Sequence, residues 1–295
     1  MLALALVIAL GTGVGAVIGR VGISSPATPS ASSPATSRTV QPGSPFRVAL
    51  EASVATRNQA AEWITQQVAA SAIVACDPAM CTALQADGIP AGKLLVLGTA
   101  AGDPLGSDIV VATPAVRSQF EARLESVYAP AVIASFGSGA GRIDVRVTAP
   151  FGAAAYESAL AADRRARVAA GRQLLRNPRV IVPGPAQTAL IAGEVDPRML
   201  ITLAALAANE PVRIVAFGDP PPGAGSAGPL RSARIAPVGA GSPAKATLRS
   251  MLSFLDSQRP PFSPLRASLA DASALNVEYA APSPLGLLGG QQVTN

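Results

Sequence analysis

The chain has 295 residues, of which 49% are hydrophobic, 14% charged and 4% aromatic, with 27 Gly, 27 Pro, 2 Cys and no histidine. The missing imidazole excludes Ser-His-Asp and Cys-His nucleophile systems and two-histidine zinc sites, and two cysteines are too few for a four-thiolate zinc site or an iron–sulfur cluster. The formal net charge of +5 is carried almost wholly by arginine, since Lys93 and Lys245 are the only lysines, and no aromatic cluster accompanies it. A nucleic-acid partner is therefore not expected, nor is a cofactor or a metal. Carboxylate, Lys or Thr chemistry, binding and scaffolding remain.

In chain order, Leu2 to Ile18 is an uncharged apolar run that, with its neighbours, reaches across the roughly 30 Å of a hydrocarbon core. It is read as a single-pass anchor over 1–21, with a cleaved signal peptide as the alternative. Residues 22–46 are rich in Ser, Thr, Pro and Ala and read as a disordered linker. A first α/β domain, Rossmann-like and small, is expected over 47–150. Its helices are Ser53–Ala70, Pro78–Ala86 and Pro114–Val127, the last two opened by proline. Short apolar runs at Ala72–Cys76, Leu94–Leu97, Ile109–Ala112 and Val132–Phe136 predict buried parallel strands. Arg142–Val147 alternates Ile143, Val145 and Val147 with Asp144 and Arg146, which predicts a half-exposed antiparallel edge strand. Gly137 to Gly141 leads into a strand rather than a helix, so it reads as a hairpin turn and not a dinucleotide loop.

Phe151–Arg176 predicts an Ala-rich connector helix over 151–178, with Arg164, Arg165, Arg167, Arg172 and Arg176 crowding its second half. Over 179–282 the predicted elements are strand Val180–Val182, helix Pro197–Ala208 capped by Asp196, strands Val212–Phe217 and Leu230–Val238, helix Pro243–Ser257, and strands Leu265–Leu269 and Leu275–Tyr279. That order suits a ferredoxin-like split βαβ domain of the α+β class. Residues 283–295 are expected to be a disordered tail.

The candidate ligand-binding residues are Asp77, Asp108, Thr113, Ser138, Asp219 and Arg231. Asp77, Asp108 and Asp219 begin or end strands, where carboxylates for binding or acid–base work would sit, but no pairing between them is implied by spacing. Cys76 and Cys81 are close enough for a local disulfide across a strand-to-helix turn, or are two buried thiols. A disulfide would place the domain in an oxidising compartment.

Five runs stand in order: Ala61-Glu62-Trp63-Ile64, Ile73-Val74-Ala75-Cys76-Asp77-Pro78, Ser107-Asp108-Ile109-Val110-Val111-Ala112-Thr113-Pro114, Phe136-Gly137-Ser138-Gly139 and Ile143-Asp144-Val145-Arg146. The series resembles the extracytoplasmic soluble domain of actinobacterial polytopic, protein-mannosyltransferase-like membrane glycosyltransferases, over residues 55–149. Such enzymes keep their catalytic carboxylates in loops of a membrane region with no counterpart here. The resemblance thus implies folded domains outside the cytoplasm, facing sugar polymer, without transferase activity. Val195-Asp196-Pro197-Arg198 before an Ala/Leu helix is similar to wall-associated modules of the same bacteria, which implies Asp219 and Arg231 as a pair gripping a ligand. The function expected is a membrane-anchored, non-catalytic binding or scaffolding protein of the cell envelope. The alternatives are an accessory domain or carboxylate-dependent enzyme acting on cell-wall glycan, and a partner of a polytopic glycosyltransferase.

Overall fold

The computed structural model describes residues 45–98, 102–223, 228–239 and 242–289. The expected anchor, nearly all of the expected linker and the last residues of the tail lie outside these. Among the described residues no helix is long and apolar enough to cross a membrane.

Helix α1 (Pro45–Gln67) begins ahead of the expected Ser53 and leads into strand β1 (Val74–Cys76), helix α2 (Pro78–Ala86), strand β2 (Leu94–Val96) and strand β3 (Ile109–Ala112). Helix α3 (Pro114–Phe120) is followed by strands β4 (Ala131–Phe136) and β5 (Ile143–Val147). The five strands form one sheet in the order β2-β1-β3-β5-β4. β1 is parallel to both β2 and β3, whereas β5 runs antiparallel to β3 and β4. Successive side chains of a strand point to opposite faces, and here both faces are covered. Val74, Cys76, Ile109 and Val111 pack under α1 and α2. Ala75, Val110 and Ala112 pack with Val116 and Phe120 of α3 and with Leu124 and Tyr128 beyond it.

Several expectations for this half are corrected: β4, expected as a parallel strand, pairs antiparallel with β5, and β2, expected to be buried, leaves Val96 exposed. The helix expected over Pro114–Val127 stops at Phe120, because Glu121 takes φ 49°, and a separate π turn spans Leu124–Tyr128. The alternating strand β5 is interior, not a half-exposed edge, and its charged side chains are buried. Burial is possible because those charges are paired. Asp144 accepts from the Ser135 hydroxyl (2.6 Å) and Arg142 (2.9 Å). Arg146 donates to the carbonyls of Ala129 (2.6 Å) and Pro130 (3.0 Å) and to Glu125 (3.0 Å). A buried charge that is both paired and hydrogen-bonded keeps the alternation of an exposed strand while sitting inside.

Helix α4 (Ala153–Leu175) packs on helices α5 (Gly184–Ala192) and α6 (Pro197–Asn209) and touches the π turn of the first half. The second half continues with strand β6 (Val180–Ile181) before α5, then strands β7 (Val212–Phe217) and β8 (Ser232–Pro237), helix α7 (Ser242–Asp256), and strands β9 (Arg266–Leu269) and β10 (Leu275–Glu278). The sheet order is β6-β7-β8-β10-β9, and among the described strands β6 and β7 pair in parallel while the other pairs are antiparallel. This differs from the expected ferredoxin-like split βαβ. The parallel strands are direct neighbours with no strand between them, and α5 adds a helix to the crossover. Val212, Ile214, Ala233, Ile235, Leu275 and Val277 face a core built with α5, α6 and α7. The opposite face of this sheet carries Arg213, Arg234, Ser268 and Asn276, all exposed.

The halves are interlocked. Ala281 forms a parallel bridge with Val68 and belongs to the core of the first half. Ser135 donates its backbone N–H to the carbonyl of Pro222 (2.6 Å). Residues 283–289, expected as tail, are ordered: Ser283 donates to Asp196, the Gly286 N–H to Asp163 (3.1 Å), and Leu288 packs on the second core. Residues Gly43–Asn295 accordingly form one compact unit.

Candidate functional site

In an open α/β sheet, ligands bind outside the carboxyl ends of the strands where the chain reverses its winding. That point lies between β1 and β3, since β2 is laid on one side of β1 and β3 on the other. Asp77 follows β1, Thr113 follows β3 and Ser138 follows β4, so three of the sequence candidates gather at this end. Each local conformation has a cause in sequence. Asp77-Pro78 and Thr113-Pro114 are N-caps with proline in the first turn, which pre-sets the helical φ and needs no N–H. Asp77 Oδ1 accepts from the N–H of Ala79 (3.0 Å) and Met80 (3.2 Å). Its Oδ2 accepts from the Thr113 hydroxyl at 2.5 Å, which ties the two caps together. Cys76 and Cys81 are disulfide-bonded one layer below, with Cα atoms 5.4 Å apart, and both are buried.

Arg117, which sequence reasoning did not single out, organises the rest of this end. Its Nη1 donates to the carbonyls of Ala112 (2.7 Å) and Arg142 (2.5 Å), and its Nη2 to Ala140 (3.0 Å), so it clasps the glycine-rich hairpin turn that carries Ser138. Burial lowers its pKa from the ordinary arginine value, and Asp144 opposes that shift. Ser138 itself is exposed. The chemistry open to this cluster is narrow. Both oxygens of Asp77 accept hydrogen bonds, the Thr113 hydroxyl is committed as a donor to Asp77, and Asp144 is held by Ser135 and Arg142. Among the described residues of this cluster, no carboxylate without these partners faces a nucleophile.

The other candidates are scattered. Asp108 lies at the amino end of β3, where it is exposed and accepts from the Ile73 N–H (2.7 Å). Asp219 is exposed beyond β7, and no contact joins it to Arg231 among the described residues. Arg231 is buried instead at the junction of the halves. It donates to the carbonyl of Tyr279 (2.6 Å) and to Gln67 Oε1 (2.9 Å), and its guanidinium lies 5.8 Å from the centre of the Trp63 ring. Burial lowers its pKa, with Asp196 and Glu278 opposing. The Asp–Arg pair expected to grip a ligand is thus not formed by these two residues.

Two buried ion pairs stand nearby. Arg198 is bidentate to Asp196 (3.0 and 2.7 Å), and Arg167 meets Asp163 at 2.7 Å. The second pair was legible as an i, i+4 spacing on a helix. Each carboxylate of these pairs also takes a hydrogen bond from the C-terminal segment, so both are structural. A cavity of about 20 Å3 between the halves is lined by Tyr156, Asp163, Arg167 and Arg231, among others, and has room for one water-sized group rather than a substrate.

The uncovered face of the second sheet is different. A groove of about 390 Å3 crosses it. The strand register lines up Arg234, Asn276 and Ser268 in one row, and Ser232, Glu278 and Arg266 in the next. Arg234 is paired with Asp271, and Arg266 with Glu278 (3.3 Å). The Asp271 carboxyl is held below its usual range by the Ser273 hydroxyl and N–H, with Arg234 adding to the effect. Donors and acceptors mix over these two rows, and each of their two arginines is paired with a carboxylate. No signal in one strand's sequence could have revealed it, because the rows exist only in the register between strands.

Among the described residues, no group of three or more Cys, Asp or Glu side chains could hold a metal ion. Comparison with protein-family models, with curated proteins and with solved structures finds no match for this chain.

Proposed function

We propose that this is a non-catalytic binding or scaffolding protein of the cell envelope, anchored by Leu2–Ile18, with the folded residues outside the cytoplasm. The observation that carries the non-catalytic reading is the self-satisfied carboxyl end of the first sheet. At the place where an α/β sheet offers chemistry, each carboxylate is already a cap or an ion-pair partner. The Cys76–Cys81 bond supports the compartment, since such bonds persist in oxidising surroundings. Binding belongs to the open face of the second sheet, whose neutral grid of Arg, Asn, Ser and Glu matches a polyhydroxylated chain better than a strongly charged one. The ligand class is cell-wall glycan.

The test is a pull-down of purified wall glycan by the full chain in mild detergent. Capture is expected, and it weakens by about tenfold or more when Asn276 and Ser268 are both changed to Ala, since two hydrogen bonds are lost. Release of new reducing ends from the glycan would overturn the non-catalytic reading. A second reading is an accessory partner of a polytopic glycosyltransferase, favoured by the order of the runs in residues 55–149. It requires that such an enzyme co-purify with the chain from a mild detergent extract.

A further inference from the structure

Helix α4 is buried on one side only. Asp163, Arg167, Gly171 and Leu174 face inward. Arg165, Arg172 and Arg176 are exposed and lie seven and eleven residues apart, which places them on one stripe of the helix. Among the described residues no carboxylate pairs with any of the three. The positions three and four residues from Arg165 are Ala161, Ala162, Val168 and Ala169, so the helix supplies no acidic neighbour. Arg172 and Arg176 stand four apart, a spacing at which like charges repel. The helix dipole favours cations in the last turn, but it does not explain a repulsive pair with no counter-charge. Two residues before the helix, Phe151 is 91% exposed, the most exposed large apolar side chain described.

We infer that the outer stripe of α4 is a contact surface for an anionic phospholipid bilayer. Unpaired guanidinium groups match phosphate headgroups, and charge complementarity alone would equally admit a soluble polyanion. Phe151, exposed at the amino-terminal approach to the same helix, favours the bilayer, because a hydrated polyanion leaves an aromatic ring in water whereas a bilayer interface buries it. Small Ala161, Val168 and Ala169 between the arginines leave the guanidinium groups as the furthest projections of the stripe. This contact stands apart from anchoring by Leu2–Ile18, and the test uses a chain without that run. Residues Gly43–Asn295 are one compact unit, and its hydrophobic clusters draw only on residues from Ala60 onward.

The experiment is co-sedimentation of Gly43–Asn295 with vesicles of phosphatidylcholine alone and of phosphatidylcholine mixed with phosphatidylglycerol. Partition onto the mixed vesicles is expected, and it falls as salt is raised. The triple variant R165A/R172A/R176A binds about a hundredfold more weakly, at about fivefold per arginine near an anionic surface. Changing Lys245, Arg249 and Arg259, all exposed, to Ala removes the same charge elsewhere and leaves binding within a few-fold, which separates a local stripe from net charge. Phe151→Ser weakens binding by about tenfold with its salt dependence kept. Equal partition onto the two kinds of vesicle overturns the proposal. So does unchanged binding of the triple variant with native circular dichroism. Full competition by soluble polyphosphate together with no effect of Phe151→Ser would mark the stripe as a polyanion site instead.

Discussion

Tyr156 lines the small cavity between the halves, and burial first, then the charge of Asp163, pushes its phenol up to about 12. The unfolded phenol titrates near pH 10, so the folded value is the higher one. The stabilisation it reflects is therefore complete below about pH 10 and is lost as the pH rises through about 12, to the extent of about 2–3 kcal/mol. Urea unfolding across that window is expected to fall more steeply for the wild type than for Tyr156→Phe, which has no proton to lose. Parallel curves for the two proteins would mean that Tyr156 ionises as freely folded as unfolded. Tyr279 is raised in the same direction by its own burial and stays in both proteins, so it cancels from the comparison. At this scale the caps were legible in the sequence: Asp77-Pro78, Thr113-Pro114 and Asp196-Pro197 all open helices as their spelling requires. Arg117 and Arg146 were not legible, because their partners are backbone carbonyls, which every residue has and no pattern distinguishes.

The crossing of α4 and α5 depends on one missing side chain. A Cβ at Gly171 would stand 2.3 Å from the carbonyl oxygen of Leu190. In an ordinary helix interior Gly→Ala stabilises by about 1 kcal/mol. Here it must push two helices apart, so Gly171→Ala is expected to destabilise by about 1–3 kcal/mol in denaturant titration. A gain in stability would show that α5 is free to shift. The sign alone decides, which makes the variant informative even if its size is modest. Among elements, α4 followed from its Ala-rich composition and the amphipathic α6 and α7 from their period. Helix α5 was hidden because Gly184-Pro185 reads as a loop, although proline is as welcome in a first helical turn as in a turn. The break after Phe120 had no Gly or Pro to mark it; the chain simply places Glu121 in an unusual conformation. β5 misled for a different reason. Its alternation of apolar and charged residues is the mark of an exposed face, and only the partners of Asp144 and Arg146 make that face an interior one.

Across the whole molecule the decisive feature is the C-terminal segment. Arg198 donates to the carbonyl of Ala280 (2.7 Å), and the Ala281 N–H donates to the carbonyl of Gln67 (2.7 Å), while Ala69 donates back to Ala281 (3.0 Å). A chain ending at Ala280 would leave Asp163 and Asp196 each short of a partner and would open the core of the first half at Ala281. Its calorimetric unfolding is expected to separate into two transitions where the intact chain shows one, with the lower transition belonging to the first half. One unchanged transition would show that the halves need no tie. None of this was readable beforehand, since bonds between residues near 67 and 281 leave no local trace in either stretch. The same arrangement constrains the order of events in synthesis. A chain that emerges end-on, from a ribosome or through a narrow pore, presents α1 ahead of every other described element and Ala281 only after β10. The end of α1 therefore waits, unmatched, until the strands of both sheets are through. The first half closes only once the second has followed it.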